Sequence, residues 1–149
     1  MNLKKSIYEE LRQVVEQKIE LAQKAVNAIK ESRDSDTKSS AGDKFETGRA
    51  IMQAELDRHK TQLNNALLLK TDLLQINIQR EHQKVGLGSL VETDQASYFI
   101  SVGLGKVEVD GQPYYAISSA SPIGQLLYEK TSGDRIYFQD KETIITNIE

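Results

Sequence analysis

The strongest constraint on this chain's fold is a seven-residue apolar rhythm that runs through two stretches of its first half. Ile7, Leu11, Val14, Lys18, Leu21, Ala25 and Ala28 step alternately by four and three. After a break, Phe45, Met52, Leu56, His59, Leu63, Ala66, Lys70 and Leu73 keep the same rhythm, with a gap at Arg49. Such a stripe is the narrow seam of a coiled coil, too thin for the core of a large globule. No proline interrupts either stretch, and between them Arg33–Gly42 loses the rhythm and collects small polar residues. The pattern predicts an antiparallel helical hairpin: up from about Leu3 to Ser32, a tip near residues 33–46, and down from about Asp43 to Glu81. Pairing with a second copy is the alternative. The intramolecular hairpin is preferred, because a loop of about ten residues closes at little entropic cost, and a monomer is therefore expected.

Past Lys84 the chain changes character. Seven of nine glycines, both prolines (Pro113 and Pro122) and seven of nine aromatic residues lie in this second part. Residues 1–83 carry 14 Lys+Arg against 13 Asp+Glu, a net of +1, whereas residues 84–149 carry 5 against 9, a net of −4. Straight-chain residues without turn formers favour helix; β-branched and aromatic residues punctuated by turns favour strands. We therefore expect an α+β protein of two modules, a helical hairpin over 1–83 and a small antiparallel sheet module over 84–149. Strands are predicted at Ser89–Glu92, Tyr98–Ser101, Lys106–Val109, Tyr114–Ser118, Arg135–Gln139 and Glu142–Ile148, with Asp110-Gly111 as a tight turn. One short helix interrupts them. Ser121 suits its N-cap and Pro122 its first position, and Ile123–Glu129 would turn Leu126 and Leu127 inward.

Composition removes whole classes of chemistry. With no cysteine there is no disulfide scaffold, thiolate zinc site or cysteine nucleophile. Two histidines, His59 and His82, leave little for a histidine metal site or a Ser-His-Asp triad. A formal charge of −3 does not suit bulk attraction to nucleic acid, least of all for the acidic second module. Residues 1–5 are polar with no apolar run behind them, and Ala66–Leu69 is far short of a membrane span. A soluble cytoplasmic protein with no membrane partner is expected. Gly86-Leu87-Gly88 and Gly103-Leu104-Gly105 precede neither a helix nor a phosphate-loop Lys-Ser/Thr, so they read as turns.

Two features together carry a resemblance. One is the hairpin with carboxylates at its tip ahead of a small sheet module. The other is the run Ile117-Ser118-Ser119-Ala120-Ser121-Pro122-Ile123-Gly124-Gln125-Leu126-Leu127, continued by Lys130 and Gly133-Asp134. That run resembles the C-terminal signature of the Gre family of bacterial transcript cleavage factors, over essentially the whole chain. The resemblance implies an FKBP-like second module that docks on RNA polymerase, through Ser121, Pro122 and Ile123, at the rim of the secondary channel. It implies a hairpin passing down that channel, with Asp43 and Glu46 reaching the polymerase active centre. There the two carboxylates would share a Mg²⁺ and an attacking water, so that a backtracked polymerase cleaves its transcript; the RNA 3′ end is met only inside that complex. On this view the chain is no enzyme by itself and holds no cofactor alone. Gly42-Asp43-Lys44-Phe45-Glu46 has the family's tip spacing of Gly-Asp, two residues, then Glu. Where the family usually continues with Asn-Ala-Glu-Tyr, this chain has Thr47-Gly48-Arg49-Ala50.

Each of these residues also has a plainer reading. Asp43 with Glu46 three residues on is close to a capping box, which any helix start can use; the two roles are compatible. Asp34 and Asp36 read as solvated loop residues, His59 as a packed, hydrogen-bonded seam residue, and His82 as an exposed residue of the junction. Lys18 and Lys70 read as register devices or seam ends, and the cations near the tip as a solvated helix end. Two other functions stay open: a family relative that enters the channel without cleaving, and a stand-alone coiled-coil adaptor that dimerises.

Overall fold

The structure, a computed structural model, describes residues 2–36 and 42–149, with side chains for 2–34 and 47–149. Two long helices come first, α1 (Leu3–Asp36) and α2 (Gly42–Leu74). They are followed by β1 (Leu90–Thr93), β2 (Ser97–Ile100), β3 (Gly105–Val109), β4 (Gln112–Ile117), α3 (Pro122–Leu127), β5 (Arg135–Phe138) and β6 (Lys141–Ile148). The fold class is α+β, and all six expected strands are present. Two compact units result: Met1–Gln13 with Thr71–Glu149, and Val14–Lys70.

In the helical unit, α1 and α2 run antiparallel. Glu16 and Lys70 form an ion pair at 2.9 Å, and residues 18–25 face residues 59–69 across a shallow groove. On α2 the observed seam is the predicted one. Leu56 and Ala66 are buried, and Met52, His59, Leu63 and Lys70 are half-buried. On α1 the seam sits one residue later than expected: Val15, Ala22 and Val26 are buried, while Leu21 is 70% exposed and Lys18 is exposed. Val14-Val15 and Leu21-Ala22 are adjacent apolar pairs, so a heptad can be drawn through either member. The buried members of these pairs, Val15 and Ala22, carry the seam. Lys70 acts as a seam-end cation through Glu16, whereas Lys18 stands outside.

The first turns of α1 and the end of α2 belong to the sheet-bearing unit. Here Ile7, Leu11, Leu73 and Ile76 are buried, and the Tyr8 hydroxyl donates to the Leu73 carbonyl oxygen at 3.1 Å. α2 stops at Leu74, seven residues before the expected Glu81. Asn77 explains part of this, since its Oδ1 accepts the Gln79 N–H at 3.0 Å and offers the backbone a local turn in place of the helix.

Sheet order is β3-β4-β2-β1-β6-β5. Neighbours are antiparallel except β2 and β4, which pair in parallel with Tyr98 opposite Tyr115 and Ile100 opposite Ile117. The sheet is thus mixed, where an antiparallel one was expected. A parallel pair needs a crossover, and the β3 excursion supplies it. The central strands are buried on both faces. Val91 and Ile100 join Val85, Ile123, Leu127, Ile136 and Ile145 in one cluster, while Leu90 and Phe99 are buried on the opposite face. Asp110-Gly111 makes its turn with both φ positive, 53° and 77°. Gln139-Asp140 makes a second such turn, with φ 53° and 63°, between β5 and β6.

Candidate functional site

Asp43 and Glu46 belong to the start of α2. With Gly42 opening the helix, Asp43 and Glu46 stand in its first turn, three residues apart. Helical periodicity puts that spacing on one face, but the side chains of Asp43 and Glu46 lie outside the described residues, as does that of Asp36. Asp34 and Asp36 belong to the last turn of α1, not to a loop, because that helix runs four residues past the expected Ser32. Asp34 is exposed, and its carboxylate lies 3.6 Å from the Arg33 guanidinium. Across the tip, Thr47 and Arg49 are exposed. Among the described residues no group of three or more His, Asp or Glu side chains could hold a metal ion.

The Ile117–Asp134 run forms one locally closed structure. Ser121 Oγ accepts the Gly124 N–H at 3.1 Å, the N-cap expected of it, and donates to the Ser118 carbonyl oxygen at 2.6 Å. Ser118 Oγ accepts the Ala120 N–H, and Gln125 Nε2 donates back to the Ala120 carbonyl oxygen. Gly124 is buried here for a steric reason: a Cβ on it would run into the Ser118 carbonyl oxygen. Downstream, the Asp134 carboxylate accepts from the Thr131 N–H at 2.7 Å and from the Thr131 hydroxyl at 3.1 Å. These bonds hold its pKa below the usual carboxylate value.

Of the three residues expected to dock, Ser121 is a half-buried cap, Pro122 is exposed and Ile123 is buried in the core cluster. Leu126, expected inward, is 39% exposed; the inward residues of α3 are Ile123, Gly124 and Leu127. An inward face made of positions 123, 124 and 127 leaves position 126 about 100° to one side of its centre, toward solvent. Leu126 and Tyr128 at the end of α3, and Tyr137 on β5, are exposed apolar residues that the sequence reading missed. Tyr137 carries the available signal, since it alternates with Ile136 and Phe138, two inward candidates of a half-buried strand.

The histidines divide. His59 is half-buried on the seam, with Nδ1 3.1 Å from Gln62 Oε1 and Nε2 3.3 Å from the Arg58 guanidinium. His82, expected to be exposed, is half-buried instead, and its Nε2 is buried without a hydrogen-bond partner. No helix among the described residues is long and apolar enough to cross a membrane.

No protein-family model and no curated protein matches the chain. Among solved structures, that of the transcription factor Gfh1 is 23% identical, superposes with a TM-score of 0.35, and is aligned over 97% of this chain and 94% of its own.

Proposed function

We propose that this chain is a Gre-like transcription elongation factor that binds RNA polymerase through its secondary channel and stimulates cleavage of backtracked transcripts with Asp43, Glu46 and Mg²⁺. One observation carries the reading: the second of two paired long helices opens with Asp43 and Glu46 in its first turn. The Ile117–Asp134 run, with its Ser121 cap and Asp134-held turn, supports the resemblance of the second module to the family's FKBP-like docking domain. At 1.5 Å per residue, the 34 residues of α1 span about 50 Å, a reach that suits an arm entering a channel.

The donor set fits the ion. Mg²⁺ takes hard oxygen ligands and keeps several positions for water and phosphate, and two carboxylates leave those positions for the polymerase and the transcript. When bound there, the ion would neutralise charge on the phosphate and acidify a water. This chain's part is to deliver two carboxylates on a helix pair, from a helix N-terminus where the macrodipole favours negative charge. By this reading it completes the polymerase's site and catalyses nothing alone.

The test is a backtracked complex of RNA polymerase with Mg²⁺. The wild-type chain should release short 3′ RNA fragments. Asp43→Ala with Glu46→Ala should slow that release by about a hundredfold, the scale of losing one charge-stabilising group at a reacting centre, while pull-down of polymerase persists. Cleavage that survives both substitutions removes the site assignment. A second reading rests on Thr47-Gly48-Arg49-Ala50, which departs from the family's continuation: the chain enters the channel as a non-cleaving regulator. Binding without any stimulation of cleavage would select it. A stable dimer formed through residues 14–70, with no affinity for polymerase, would overturn both in favour of an adaptor.

A further inference from the structure

Lys4 is only 4% exposed although it carries a charge. Its ammonium donates to the Arg80 carbonyl oxygen at 2.9 Å and to the Glu149 carbonyl oxygen at 3.3 Å. The Glu149 oxygen also accepts the Leu90 N–H at 3.0 Å. One buried nitrogen thus ties the first turn of α1 to the segment after α2 and to the end of β6.

His82 lines a groove with Asn2, Lys4, Gln79, Arg80, Glu81 and Glu149. Its ring lies against the 86–88 loop: a Cβ on Gly86 would meet Nδ1 at 3.7 Å, and one on Gly88 would meet Nε2 at 3.8 Å. Nε2 is buried, and no acceptor or donor reaches it. The charged groups around the ring are Lys4 from α1, Arg80 and Glu81 from its own segment, and Glu149 from the end of β6; the 86–88 loop brings none. Desolvation first, then the Lys4 and Arg80 charges, hold the imidazole below its usual pKa. Burial likewise lowers Lys4, against the opposing pull of Glu149 and Glu81.

We propose that this cluster is an acid-sensitive latch, in which neutral His82 lets the first turn of α1 close on residues 80–88 and protonated His82 releases it. Protonation sets a third cation beside Lys4 and Arg80 and creates a buried N–H with no acceptor, and both effects disfavour the closed form. The sign follows from linkage. An open, solvated His82 titrates near the ordinary value of about 6.5, and the closed one titrates lower. Opening is therefore independent of pH above that value, grows by up to about tenfold per pH unit as pH falls below it, and levels off beneath the closed-state pKa.

Nuclear magnetic resonance of the full chain from pH 8 to 5 tests the latch. The His82 ring signals should titrate below about 6.5. Amide exchange at Ser6 and Ser89, whose N–H groups bond to Asn2 and Gly86 carbonyl oxygens, should lose up to about fivefold of its protection between pH 6.5 and 5.5 after correction for intrinsic rates. Lys4→Met should move the His82 titration toward the ordinary value, and His82→Asn should flatten the pH dependence. If His82→Asn does not fold, the wild-type titration and Lys4→Met still decide. His82 signals that titrate at or above the ordinary value overturn the proposal, as does protection that ignores pH or falls equally in His82→Asn.

Discussion

Replacing Gly124 with alanine adds one methyl group, and the structure fixes where that group must go. The new Cβ would collide with the Ser118 carbonyl oxygen and would lie 2.9 Å from Ser121 Oγ and 3.0 Å from Ser119 Cα. Two of these are backbone atoms, and the Ser118 oxygen is already engaged by the Ser121 hydroxyl at 2.6 Å and the Ser121 N–H at 3.1 Å. Overpacking at a site that cannot yield costs about 1–3 kcal/mol. Displacing the Ser121 cap adds about 1 kcal/mol, and alanine's better helix propensity returns about 1 kcal/mol. The expected loss is about 2 kcal/mol, or about 30-fold in the folded-to-unfolded ratio. All six tyrosines lie in the sheet-bearing unit and the chain has no tryptophan, so tyrosine fluorescence in urea reads that unit alone. Gly48→Ala is the matched control: it lies in α2 with nothing within 4 Å of the new Cβ, and it should stabilise the helical unit by about 0.5–1 kcal/mol, read by far-ultraviolet dichroism. A Gly124→Ala chain whose tyrosine transition stays at or above the wild-type urea midpoint would refute the steric reasoning.

Two further outcomes follow from the packing and the charges. Leu11→Ala should cost about 2–5 kcal/mol, because Leu11 is fully buried. Leu21→Ala should stay within about 0.5 kcal/mol, and equal losses in urea melts would return the α1 seam to Leu21. Asp134 has a depressed pKa in the fold, owing to the two Thr131 hydrogen bonds, so it adds stability above the ordinary carboxylate value and loses it as pH falls through the folded one. Asp134→Asn should therefore show a shallower decline in stability below about pH 4 than wild type; parallel declines would show that the carboxylate contributes nothing.

Much of this architecture was legible because it rests on local rules. The α2 seam, the six strands, the Asp110-Gly111 turn and the Ser121 cap each depend on residues within a few positions of one another. What escaped was decided across distance or between equals. Val14 against Val15 and Leu21 against Ala22 are ties in periodicity, which the pattern of one helix alone does not break. Parallel pairing of β2 with β4 depends on where the β3 excursion returns, which no strand pattern encodes. Leu126 and Leu127 are both apolar, and only the anchoring of Ile123 decides which is inward. Gln139-Asp140 lacks the glycine that announced the other tight turn. His82 was misread as exposed, since part of its surroundings comes from residues 4 and 149 at the far ends of the sequence. Asp43 and Glu46 were singled out by spacing and family likeness, and the structure adds only that their backbone lies in the first turn of α2.

The sheet-bearing unit is discontinuous, made of Met1–Gln13 and Thr71–Glu149 with residues 14–70 between them. For anyone dissecting or rebuilding the molecule, this makes the helical stretch an insertion within a host and not a detachable leader. A cut at residue 84 would part Lys4 from the Glu149 oxygen it bonds and would strip Ile7 and Leu11 from their unit. The productive exchange is instead to graft: residues 14–70 can be shortened in whole heptads, or replaced by the arm of another protein. The host then keeps both of its strands of chain, and the length of the helical stretch becomes a dial that can be turned without touching the sheet.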